Sequence, residues 1–266
     1  MTANPRNFEI FNRDVEKNEG YLYTTNIGLS SRLATQNSVE SVMTAGQFRG
    51  RSIVDVGCGD GHYSLQYWDA TQPRSLTGVD AAEHAVKLAN KRKGHREVTF
   101  RVGDSHNLPF ATDSFDVALL QAMLHHDDNP LQTIREAFRV APEVVIHEPN
   151  GCNLGLKIIE KLSPYHREHA EKSYTHFQLR KWIEQGGRWY PAHSQASSQC
   201  FVPIGLPRLP KLWNRWWSGC RFSIPQVARF ILSLPRGASQ VSQAGLLNHE
   251  SGPLASNPVC NLPHRR

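Results

Sequence analysis

No apolar run in the 266-residue chain approaches the roughly 20 residues needed to cross a bilayer. The opening stretch, Met1 to Asp14, also lacks the apolar core of a secretory leader and carries Glu9 and Asp14 instead. Cysteine is sparse and unpatterned. The five residues at 58, 152, 200, 220 and 260 show no paired spacing, so neither a disulfide framework nor a zinc site is expected, and a cytoplasmic setting is the simplest. The net charge of +6 is uneven: residues 201–266 hold seven Arg and one Lys against one Glu, which leaves the first 200 residues at −1. The basic excess belongs to the last quarter. With no recognisable RNA-binding module either, a nucleic-acid partner is not expected.

What the chain does have is a strand, a glycine turn and a helix in direct succession. Ser52 to Val56 is a short apolar run with one acid, as expected of a strand covered on both faces. Glycines 57, 59 and 61 follow at once, and a helical pattern begins at Tyr63. This layout makes a ligand crevice at the carboxyl edge of a doubly wound sheet. A diphosphate there needs bare amides and no negative charge nearby. Asp55 stands two residues before the first glycine and Asp60 between the second and third, which suits a cationic ligand without phosphate. A dinucleotide turn and a purely structural corner are the alternatives.

Val54-Asp-Val-Gly-Cys-Gly-Asp-Gly61 resembles the first motif of the class I S-adenosylmethionine-dependent methyltransferases, of the small-molecule, type-11-like kind. Leu108-Pro-Phe-Ala-Thr-Asp-Ser-Phe-Asp116 resembles a later stretch of the same family. The resemblance is good over residues 50–150 and loose over 20–50 and 150–190. It implies an α/β fold, with a Rossmann-like, mostly parallel seven-stranded sheet and helices on both faces. It also implies methyl transfer from S-adenosylmethionine, whose sulfonium and ammonium match the loop acids, to a small-molecule acceptor.

The expected cofactor-binding residues are Asp55, Gly57, Gly59, Asp60, Asp80, Ala81, Asp104, Ser105 and Gln121. Asp80 ends a second strand, Ser75 to Val79, where a carboxylate can accept hydrogen bonds from both ribose hydroxyls. It could equally cap the helix from Ala81 to Arg92, with Glu83 completing a capping box. Asp104 follows a third strand, Val98 to Val102. The resemblance places an acid there beside the adenine, and the alternative is a turn residue. Gln121 closes a fourth strand, Val117 to Leu120, whose tip the resemblance sets beside the transferring methyl. His125 or His126 after it could serve as a general base, with a structural role as the alternative. Glu148, after a fifth strand at Val144 to His147, is the second candidate base or else a loop anchor. Adjacent histidines point different ways and no third ligand is evident, so no metal is expected.

Four segments are read along the chain. A helical cover occupies 1–50, in which Tyr21, Tyr23 and Arg32 face the cleft or merely pack. The methyltransferase domain spans 51–205, with an insertion at about 151–175 that is either a solvated loop or a lid. A sixth strand is expected at Ser198 to Ile204, and a seventh near Ala238 to Gln243. Residues 206–243 form a basic aromatic appendage. Its stretch 211–222 puts Trp213, Trp216, Trp217 and Cys220 on one helical face, to dock on the sheet, touch a membrane surface or wall an apolar substrate pocket. Residues 244–266, rich in Gly, Ser, Asn and Pro, are expected to be disordered.

Overall fold

Five apolar runs become the parallel strands β1 (Ser52–Val56), β2 (Ser75–Asp80), β3 (Val98–Val102), β4 (Val117–Gln121) and β5 (Glu143–Pro149). This is a computed structural model, and it describes residues 5–21, 29–186, 193–197 and 227–232, the last two spans as backbone. All of them fall within the unit Met1–Leu234. Two further strands, β6 (His193–Ser197) and β7 (Val227–Leu232), complete a seven-stranded sheet ordered β3-β2-β1-β4-β5-β7-β6. Strand β7 runs antiparallel to both its neighbours. The stretches expected to supply the last two strands, 198–204 and 238–243, lie outside the described residues. The described strands are set earlier in the chain.

Side chains alternate across the sheet because strand periodicity is two. Val54, Leu120, Val144 and Ile146 face one apolar cluster with Ile134, Phe138, Leu179 and Ile183. Those four partners come from helices α5 (Pro130–Val140) and α8 (His176–Gln185). Ile53, Leu119 and Val145 face the other cluster, with Val42, Tyr67 and Val86. These come from α2 (Leu29–Gly46), α3 (His62–Thr71) and α4 (Glu83–Arg92). Each such side chain fully removed from water contributes roughly 1.5–3 kcal/mol. Both faces of β1 and β4 are covered, which is why their sequences read as mostly apolar runs.

Within the expected helical cover of 1–50, α1 (Pro5–Asn18) precedes the sheet. Val15 packs on Ala82 and Ala85 of the α4 region. The helix stops at Glu19, in the left-handed region at φ 52°, and Gly20 donates back to the Val15 carbonyl at 3.2 Å. Between β5 and α8 lie α6 (Leu154–Leu162) and the short α7 (Pro164–Glu168). This insertion is not a solvated loop, because His166 and His169 are buried. His169 Nε2 lies 2.8 Å from Asp14 Oδ2 of α1, and Arg13 pairs with Glu168. The aromatic-basic stretch 211–222 and residues 244–266 lie outside the described residues. Among those described, no helix is long and apolar enough to cross a membrane.

Candidate cofactor cleft

The glycine turn after β1 forms the floor of a cleft at the carboxyl edge of the sheet, lined by Gly57, Cys58, Gly59 and Asp60. Gly59 has φ 54°, and a Cβ on it would sit 2.6 Å from the Tyr21 ring. Gly61 has φ 74°, and its Cβ would meet Ala89 and Phe100 at 2.9 Å. Only glycine satisfies both the backbone angle and the close approach.

Five amides of this turn, those of Gly57, Cys58, Gly59, Gly61 and His62, are already occupied. Gly57 and Cys58 donate to the Val79 carbonyl at 2.8 and 3.1 Å, and Gly59 donates to Asp80 Oδ2 at 2.8 Å. Gly61 donates to the Cys58 carbonyl at 3.1 Å and His62 to Asp60 Oδ1 at 3.2 Å. A diphosphate would find few donors aimed at it. The reason therefore differs from the one the sequence suggests, which was repulsion by two loop acids. Asp60 is indeed in the cleft wall, but its Oδ2 lies 2.6 Å from Arg92 Nη1. Asp55 is buried behind the turn, outside the cleft wall, and accepts a hydrogen bond from Ser64 Oγ.

Burial pushes the Asp55 carboxyl up from 3.8 to about 7, against the pull of Ser64 and with a further push from Asp80. A carboxyl raised on folding gives stability that is full below about pH 4 and lost as pH climbs through about 7. Asp55→Asn removes that loss and can still accept from Ser64. Thermal melts of both proteins are expected to show the variant gaining on the wild type from pH 4 to pH 7, then levelling off. A difference that does not change with pH would contradict this.

Asp80 stands in the cleft wall beside Ala81 and Ala82. Its Oδ1 accepts from the Ala82 amide and its Oδ2 from the Gly59 amide, both at 2.8 Å. Each oxygen keeps a further lone pair for a ligand hydroxyl. The capping reading is corrected: α4 begins at Glu83 after Ala82, without a side-chain cap, and Glu83 pairs with Lys87 at 2.8 Å. Burial raises the Asp80 pKa, and the Ala82 and Gly59 amides offset part of the rise.

Ser105 lines the cleft, whereas Asp104 does not; its Oδ1 accepts from the His106 amide at 2.8 Å, a turn contact. Gln121 lines the cleft, with its Oε1 taken by the Tyr67 hydroxyl.

The two candidate bases separate clearly. Glu148 is 0% exposed and outside the cleft wall. Its Oε1 accepts from the amides of Met123 and Leu124 at 2.8 and 2.7 Å, and its Oε2 lies 2.7 Å from His125 Nδ1. It anchors the loop after β4. His125 is pushed down by burial, but the charge and hydrogen bond of Glu148 outweigh this and raise its pKa. His126 lines the cleft, with its ring centroid 4.9 Å from that of Phe11. Burial, His125 and His169 hold its pKa well below the ordinary imidazole value, so the ring is neutral near pH 7.

The wall also includes Phe11, Tyr63, Met123, Asp127 and Asp128, which the sequence reading does not single out. Phe11 sits on α1, at a helical spacing with Phe8 and Val15 that is visible in the sequence. The Asn129 side chain, just before α5, makes no cap bond, and Asp127 holds this start of the helix. Its Oδ1 accepts from the Asn129 amide at 2.8 Å and its Oδ2 from Thr133 Oγ1 at 2.5 Å. His106, Asp127 and Asp128 have ligand-type atoms within 4.8 Å of one another, the one such group among the described residues. His106 Nε2 lies 2.7 Å from Asp127 Oδ1, a pairing that needs no ion.

Residues 54–143 match the methyltransferase domain family. Over 88 residues the chain is 33% identical to a chloroplastic 2-methyl-6-phytyl-1,4-hydroquinone methyltransferase of Oryza sativa, covering 33% of this chain and 25% of the relative. Over 93 residues it is 36% identical to a phthiotriol/phenolphthiotriol dimycocerosates methyltransferase of Mycobacterium leprae, covering 35% of this chain and 31% of the relative. The chain thus matches about a third or less of the length of these curated relatives. An S-adenosylmethionine-dependent methyltransferase structure from Thermotoga maritima superposes with a TM-score of 0.59 at 18% identity, over 84% of this chain and 98% of the other. At that identity the likeness is one of fold. Matched domain, glycine turn and strand order together make residues 54–143 similar to the class I S-adenosylmethionine-dependent methyltransferases.

Proposed function

We propose that this chain transfers a methyl group from S-adenosylmethionine to a small, lipophilic acceptor. The observation that carries the donor is Asp80, a carboxylate at the edge of β2 beside a glycine turn five of whose amides are already occupied. Such a site takes ribose hydroxyls and a sulfonium in preference to a diphosphate. A lipophilic acceptor is supported by the wall formed by Phe11, Tyr21, Tyr63 and Met123, and by relatives named for a phytyl hydroquinone and for phthiotriols.

The reaction is an in-line displacement at an already activated methyl group, and the protein's work is alignment and exclusion of water. Orientation alone can lower such a barrier by roughly 7–11 kcal/mol. Of the two candidate bases, Glu148 is committed to the loop after β4. His126, in the cleft wall, is the residue to which this reading gives the proton of an acceptor hydroxyl.

Calorimetry with S-adenosylhomocysteine is expected to show one binding site, and a flat titration would end the donor reading. Tritiated methyl transfer into lysate fractions tests the acceptor. Label is expected in lipid or small-molecule fractions, whereas label confined to RNA or protein would overturn this part.

A further inference from the structure

We infer that Arg92 is a positioning residue that couples the glycine turn to the helix covering the cleft, working through Asp60. The inference rests on the cleft being the S-adenosylmethionine site. Arg92 is the last residue of α4 and is not part of the cleft wall. Its guanidinium reaches in two directions. Nη1 lies 2.6 Å from Asp60 Oδ2 in the turn, and Nη2 donates to the Glu19 carbonyl at the end of α1, at 2.8 Å. The same Asp60 Oδ2 also accepts from the Tyr21 amide at 3.3 Å.

Two residues beyond Glu19, Tyr21 lines the cleft. The Tyr21 ring is packed against Gly59 so closely that a Cβ there would come within 2.6 Å of it. Phe11, earlier in α1, meets the Tyr21 ring edge-on at 5.9 Å and reaches His126 at 4.9 Å. One guanidinium therefore ties together the turn, the end of the covering helix and the aromatic pair over the site. Other polar ties of α1 run elsewhere. Asn12 and Glu16 reach His84, Asp14 reaches His169, and Arg13 reaches Glu168. Whatever seats the turn against a ligand therefore also seats the cover. The task suits arginine, because a guanidinium holds two acceptors in a fixed fork where an ammonium offers a point charge.

The test uses the full chain and S-adenosylhomocysteine, with affinity read by calorimetry and hydrogen exchange read over residues 9–21. Wild type is expected to gain protection in that segment on binding. Arg92→Gln is expected to bind about tenfold more weakly, within the usual range of coupling between sites, and to lose the ligand-induced protection. Arg92→Lys, which keeps the charge beside Asp60 but not the fork, should recover part of the affinity. Because Arg92→Gln strands a buried carboxylate, the double variant Arg92→Gln/Asp60→Asn serves as the well-folded check and should also lack the protection. Variants that still protect residues 9–21 on binding, or that bind as tightly as wild type, would overturn the coupling while leaving the cleft assignment intact. Failure of the wild type itself to bind would instead remove the assignment, and the coupling with it.

Discussion

Asp80→Ala is expected to weaken S-adenosylhomocysteine binding by about 1.5–3 kcal/mol, the range for hydrogen bonds to a charged group, or roughly ten- to a hundredfold. The loss has two parts. The variant removes the acceptor for a ribose. It also releases the Gly59 and Ala82 amides, each now held at 2.8 Å, so the turn and the start of α4 lose their common anchor. Asp80→Asn separates the parts poorly, because one of its two positions becomes an NH₂ facing an N–H donor. It is expected to be nearly as weak. Calorimetry on both variants decides the matter, and a dissociation constant equal to that of the wild type would reduce Asp80 to a turn residue.

The largest expected effect on stability comes from a residue that the cleft never touches. Glu148→Ala leaves two buried amides and His125 without their acceptor at the central strand edge. Breaking a buried charge pair in this way costs about 3–5 kcal/mol. For a domain of this size that corresponds to a fall of roughly 6–20 °C in melting temperature. Glu148→Gln still offers one oxygen to the Met123 and Leu124 amides, and should fall by less. A melting temperature for Glu148→Ala within a degree or two of wild type would show that the loop after β4 is held by something else.

The parts of this fold that are legible in sequence are those where a local signal and burial agree. Strands β1 and β4 sit in the middle of a parallel sheet, so most of their residues are apolar, and the runs 52–56 and 117–121 are visible for that reason. The glycine turn is visible because its backbone angles admit little else. Strand β6 is not legible. His-Ser-Gln-Ala-Ser lies at the border of the sheet, pairs with β7 alone, and carries no apolar pattern. Strand β7 carries a clear signal in Phe230-Ile-Leu232, but its place between β5 and β6 is a matter of topology that no local window contains.

The site divides along similar lines. Positions fixed by the chain beside a strand end, such as Asp80, Ser105 and Gln121, can be placed from the sequence. What a side chain does with its oxygens cannot. Glu148 reads as a base or a loop anchor, and only its contacts with Met123, Leu124 and His125 favour the anchor. Asp60 reads as a repelling charge and is neutralised by a residue thirty-two positions later. Phe11 and Tyr21 reach the cleft because α1 packs against the α4 region beside it.

The place of β7 has a consequence for how the protein is born. Strand β6 emerges from the ribosome before β7 yet has no partner in the sheet until β7 slots in beside β5. During synthesis the nascent sheet therefore shows one bare flank, the apolar Val144-Val-Ile146, until residue 232 has been made. An open strand flank of this kind invites pairing with another chain.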